Sequence, residues 1–88
     1  MRLDKYLKVS RLIKRRTLAK EVCDAGAVNI NSRPAKAGAE VKVGDIMDLR
    51  LGSKRLKIEI LATPETIRAD LAKELYKVLN EQRMVEEI

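Results

Sequence analysis

Residues 16–31, RTLAKEVCDAGAVNIN, change their hydrophobic period midway, and that change decides the fold. Up to Ala25 the apolar residues recur at helical spacing, with Leu18, Val22 and Ala25 on one face and Ala19 and Cys23 beside them. From Ala27 onward, Val28 and Ile30 alternate with Ala27, Asn29 and Asn31, which is the period of a strand. Between the two stands Gly26, in the place where a helix commonly ends on a left-handed residue. The stretch predicts a helix from about Arg16 to Ala25 running directly into a strand.

Upstream, residues 3–10 predict a short helix: Leu3 and Leu7 are four apart with Tyr6 beside them, leaving Lys5 and Lys8 outward. The connector RLIKRR, residues 11–16, carries Leu12 and Ile13, which can plug back into a core. Downstream, Asn31-Ser32 reads as a turn, and Arg33-Pro34-Ala35-Lys36 as an edge segment, since proline cannot donate to a ladder. Gly44-Asp45 marks another turn. Residues 46–51 and 55–61 then form a hairpin around Gly52-Ser53, with Leu56, Ile58 and Ile60 on one face of the second arm. Thr63-Pro64-Glu65 has the composition of a helix start, and Ile67, Leu71, Leu75, Val78 and Leu79 continue as a helical stripe. The expected class is α+β: two N-terminal helices packed on a small, mostly antiparallel sheet, plus a C-terminal helix. One domain is expected over 1–88, with the helix–helix–strand motif in 1–50, a second hairpin arm in 51–62, the C-terminal helix in 63–84 and the last residues frayed.

Charge is distributed very unevenly over this frame. Residues 1–20 hold eight Lys or Arg against Asp4 alone, a net +7, whereas residues 21–88 hold 11 basic and 12 acidic residues. Solubility does not require such concentration; a polyanionic partner does. Arg2, Lys5, Lys8, Arg11, Lys14, Arg15, Arg16 and Lys20 are the candidate contacts. Arginine offers phosphate a planar, bidentate fork and lysine a mobile point charge. With no Phe or Trp, and only Tyr6 and Tyr76, the chain lacks stacking platforms for single-stranded bases, so an RNA partner would be read by phosphates, 2′-hydroxyls and shape. The ordinary alternative for each cation is a solvated surface charge.

Other classes are disfavoured. The absence of histidine removes the commonest general base near neutral pH, and Cys23 alone can form neither a disulfide framework within the chain nor a Cys/His metal site. No cofactor is expected. Neither a membrane-length apolar run nor a signal-peptide core is present, which predicts a cytoplasmic protein with no membrane partner. Asp4 is expected to cap the first helix or pair with a neighbouring arginine rather than act in catalysis. Cys23 and Tyr6 are expected in the core, and the C-terminal stripe on its own sheet.

The run Arg2-Leu3-Asp4…Leu7, Arg16-Thr17…Ala19…Val22…Gly26…Val28-Asn29-Ile30-Asn31 and Val43-Gly44-Asp45 resembles the RNA-binding domain of ribosomal protein S-four over about residues 1–50. The whole layout, from MRLDKYLKVSRLIKRRTLAKE to the AKELYKVL segment, resembles the small stand-alone RqcP (YabO) family, with the fifteen-kilodalton heat-shock protein as a longer relative. Two positions depart from the motif: Arg15 stands where a capping serine is usual, and Ile30-Asn31-Ser32 replaces a Val-Asn-Gly turn.

The resemblance implies a non-enzymatic, monomeric RNA-binding protein of bacterial ribosome-associated quality control. Such a protein sits on large ribosomal subunits that carry peptidyl-tRNA, contacts rRNA and tRNA, and supports alanine tailing by an RqcH-type factor. It also implies that Arg16 leads the RNA contacts and that Arg33 and Lys36 continue the RNA face. The rival readings are a general RNA chaperone or ribosome assembly factor, an RNA-modifying enzyme, since this domain often appears as an appendage on such enzymes, and a protein adaptor using the C-terminal helix.

Overall fold

In the computed structural model, which describes residues 1–83, the order is α1 (Leu3–Val9), α2 (Arg16–Asp24), β1 (Val28–Ile30), β2 (Arg33–Pro34), β3 (Ile46–Leu51), β4 (Lys54–Ile60), a 3₁₀ helix (Ala69–Leu75) and β5 (Tyr76–Arg83). The strands make one antiparallel sheet in the order β2-β1-β3-β4-β5. The α+β class, the two N-terminal helices and the β3–β4 hairpin are as the sequence predicts.

The hydrophobic core lies between the helices and one face of the sheet. Leu3, Tyr6 and Leu7 of α1 and Ile13 of the connector pack with Val28, Met47, Leu49, Ile58 and Ile60, all buried. On α2 the buried positions are Ala19 and Cys23, whereas Leu18 is 47% exposed and Ala25 is also exposed. The expected stripe is therefore rotated. Small side chains on the inner face let this short helix approach the core closely, and the larger Leu18 is left outside. The helix stops in a Schellman geometry: the Gly26 N–H donates to Cys23 O (3.0 Å) and the Ala27 N–H to Val22 O (3.2 Å), with Gly26 at φ +79°. Arg15 precedes α2 in extended backbone with no side-chain cap, as its identity implies.

Asn31 fixes the next turn. Its backbone is left-handed (φ +51°), its Nδ2 donates to Asp45 Oδ1 (3.1 Å), and its Oδ1 accepts the Ile46 N–H (2.9 Å). Asp45 Oδ2 accepts the Lys42 N–H (3.0 Å), so two turns distant in sequence are locked to each other. Ser32, at φ +68°, takes the conformation that the missing glycine would adopt freely.

The expected C-terminal helix over 63–84 does not form. Thr63-Pro64-Glu65 lies outside any helix, one 3₁₀ segment follows, and Tyr76–Arg83 pairs along β4 from Lys54↔Arg83 to Ile60↔Tyr76, with a bulge between Lys57 and Ile58. The physical reason is the ladder of β4, which would be an open edge without β5. Pairing satisfies those backbone groups and outweighs helical periodicity, which is a weak preference once tertiary partners compete. Of the supposed stripe, Leu75 is buried while Leu71, Val78 and Leu79 are exposed. The residues called frayed, beyond Arg83, lie outside the described residues.

Tyr6 joins α1 to this C-terminal part: its buried hydroxyl donates to Leu75 O at 2.8 Å. Burial, helped by the neighbouring Tyr76, pushes that phenol well above its ordinary pKa, so it stays a donor. The Leu75 carbonyl also accepts the Leu61 N–H at 2.8 Å, so Tyr6→Phe leaves it partnered and is expected to cost about 0.5–1.5 kcal/mol in urea unfolding, with little change in circular dichroism.

Candidate nucleic-acid interface

Helix α1 is only two turns long and its N-cap residue, Arg2, makes no side-chain cap. Instead, the segment after β2 supplies the missing acceptors: Leu3 N–H donates to Ala39 O (2.8 Å) and Asp4 N–H to Ala37 O (3.1 Å). This docking carries Asp4 inward until it is 3% exposed. A buried carboxylate needs charged partners. Arg2 Nε donates to its Oδ1 (3.2 Å), Arg16 Nε lies 3.5 Å from its Oδ2, and the Lys5 N–H donates to Oδ1 (2.8 Å). Asp4 does both things expected of it: its carboxylate pairs with two arginines and satisfies one first-turn N–H of α1.

The result is a fixed pair of guanidiniums. Arg2 and Arg16 come from separate helical segments, are drawn together by one carboxylate, and leave their side chains 53% and 50% exposed. Their orientation is set before any ligand arrives, which reduces the entropy lost on binding a planar or tetrahedral anion. Burial pushes the Asp4 carboxyl up, but hydrogen bonds from Arg2 and Arg16, the Arg16 charge and the Lys5 N–H outweigh it and hold the group below its ordinary range.

The other candidates divide. Lys14, Arg15 and Lys20 are exposed around α2 and make no ion pair with a described residue. Arg33 lies on edge strand β2, and Lys36 is exposed beside Ala37, whose carbonyl holds Asp4 N–H. Lys5 is drawn away to Glu65, whose carboxyl its hydrogen bond and charge hold low. Lys8 and Arg11 lie at the opposite end of α1 from Arg2, near Glu65 and Ile67. Cys23 is fully buried, and burial, then the charges of Asp4 and Asp24, push its thiol up to about 11, so it is a small core residue. Among the described residues no helix is long and apolar enough to cross a membrane.

Sequence reasoning missed the cations Lys54, Arg55 and Lys73. Arg55 faces Asp48 across the β3–β4 ladder at 3.5 Å, on the sheet face away from the core. Lys54 pairs with Glu81 at 2.7 Å. Nothing in their local sequence marks them: Lys54 finds its partner on β5, Arg55 on β3, and Lys73 stands on the 3₁₀ helix.

The model of the S4 domain matches residues 1–47, the stretch that holds both helices and the first strands, so the chain is an S4-domain protein. Among curated proteins the chain is 55% identical over 82 residues to the RQC P-site tRNA stabilizing factor of Halalkalibacterium halodurans, covering 93% of each chain. It is 48% identical over 86 residues to the factor of the same name from Bacillus subtilis, covering 98% of this chain and 100% of that one. The chain belongs to this family of RQC P-site tRNA stabilizing factors, the RqcP family. Among solved structures, the trimeric structure of Vibrio cholerae heat shock protein 15 superposes with a TM-score of 0.83 at 34% identity, covering 89% of this chain and 80% of that one.

The lowered pKa of Asp4 has a defined signature. Its ordinary value is 3.8, so its stabilising contribution is complete above about pH 4 and is lost as pH falls through the lower folded value. Asp4→Asn is expected to lose about 1–3 kcal/mol at neutral pH, with the gap to the parent protein closing in acid. Chemical unfolding measured at a series of pH values checks this; a gap that is constant with pH would contradict it.

Proposed function

We propose that the chain is a non-catalytic, monomeric RNA-binding protein that holds peptidyl-tRNA on an obstructed large ribosomal subunit in the cytoplasm. The Arg2–Asp4–Arg16 cluster docks on folded RNA, with Lys14, Arg15, Lys20, Arg33 and Lys36 as flanking phosphate contacts. Lys5, Lys8 and Arg11 contribute through the long-range field of the basic segment. In this reading it contacts both rRNA and tRNA and supports alanine tailing by an RqcH-type factor. The observation that carries the reading is the pre-oriented arginine pair at the centre of a segment of net charge +7. Its likeness to RQC P-site tRNA stabilizing factors supports the choice of ligand.

Arg16→Ala is expected to abolish or sharply weaken co-sedimentation with large subunits while leaving thermal stability nearly unchanged, because the guanidinium is half in water and Arg2 remains on Asp4. Binding should also weaken steeply as salt is raised, with each lost phosphate contact reducing the slope by about one. Retained ribosome binding in that variant would remove Arg16 from the interface. The likeness to heat shock protein 15 favours a second reading, an RNA-binding assembly or heat-shock factor with no tailing role. Cross-linking on isolated subunits separates the two, since only the first yields tRNA adducts.

A further inference from the structure

Helices α1 and α2 both end on a left-handed residue, arginine in the first and glycine in the second. The Arg11 N–H donates to Lys8 O at 3.1 Å, as the Gly26 N–H donates to Cys23 O at 3.0 Å, and Arg11 is left-handed at φ +59°. Glycine adopts this backbone freely and arginine does not. A side chain held at a strained position points to a use for that side chain. Arg11 stands at the rim of a groove of about 410 Å³ formed where the α1–α2 corner meets the end of the β4–β5 ribbon.

Half of that groove's lining is apolar, from Leu12, Leu56, Tyr76 and Val78, the last 48% exposed. Its rim is cationic. Arg11 and Lys73 make no ion pair with a described residue, while Lys54 is paired with Glu81. Apolar side chains between unneutralised cations complement a chain segment that carries both hydrophobic side chains and carboxylates. A phosphodiester strand fits less well, since it gains nothing from the apolar side chains and brings a charge at every nucleotide past Glu81. A peptide can place a neutral residue there.

We propose that this groove docks an acidic, amphipathic segment of a protein partner, with apolar side chains on Leu12, Leu56, Tyr76 and Val78 and carboxylates on Arg11 and Lys73. The site is separate from the Arg2–Asp4–Arg16 cluster, so the molecule would engage RNA and protein with opposite ends of α1.

A fluorescein-labelled helical peptide of Leu, Ala and Glu, about twelve residues or three turns long, serves as the probe in anisotropy titrations, with an oligouridine of equal length as competitor. The parent protein should bind the peptide, and Lys73→Glu and Val78→Asp should each weaken it by about tenfold or more while co-sedimentation with large subunits persists. Arg11→Gly should lose peptide binding yet melt no earlier than the parent, because the strain is relieved. Arg16→Ala should bind the peptide normally, so that failure of the RNA reading and failure of this one give different patterns. No binding by the parent protein, displacement of the peptide by oligouridine, or a lower melting temperature for Arg11→Gly would overturn the proposal.

Discussion

One buried carboxylate governs how the N-terminal half of this molecule is arranged. Helix α1 is too short to be stable alone, and the packing that rescues it places Asp4 out of contact with water. The cost of an unpaired charge there exceeds that of ordering long side chains, so Arg2 and Arg16 are both drawn to it. Two cations that would repel each other across a bare surface become neighbours. The approach of the two guanidiniums and their shared orientation follow from satisfying that single group.

The sheet solves a different problem, that of its own edge. Every buried residue of β4 lies on one face, and its backbone would be unpaired on one side without β5. This is why the elements up to residue 61 are legible in the sequence and the remainder is not. Early elements announce themselves locally: a period that changes at Gly26, a turn at Asn31, a two-residue loop at Gly52-Ser53. In the last described twenty residues, Ile67, Leu71, Leu75, Val78 and Leu79 fit a helix by spacing, and Tyr76 and Val78 fit a strand by type. Only the vacancy beside β4 decides, and a vacancy has no sequence signature.

The candidate site was legible to a similar degree and for the same reason. A cluster of charge within twenty residues is a local fact, so the basic face could be read directly. Which cations are held in place is a tertiary fact. Asp4 fills both of its chemically sound roles, and its burial depends on residues 37–39, which carry no polar side chain to advertise it. The groove cations Lys54 and Lys73 have no local mark at all, because much of the groove's lining comes from β5.

The bulge between Lys57 and Ile58 acts on what lies beyond the molecule. A flat eight-residue edge invites further strands, from any chain, to add indefinitely. Where β5 carries one residue more than its partner, the strand bends and twists, and a newcomer laid along it would fall out of step. Lys77, Glu81 and Arg83 add charge along the same stretch. A sheet that recruited its last strand to cover one open edge thereby presents a second edge poorly suited to growth.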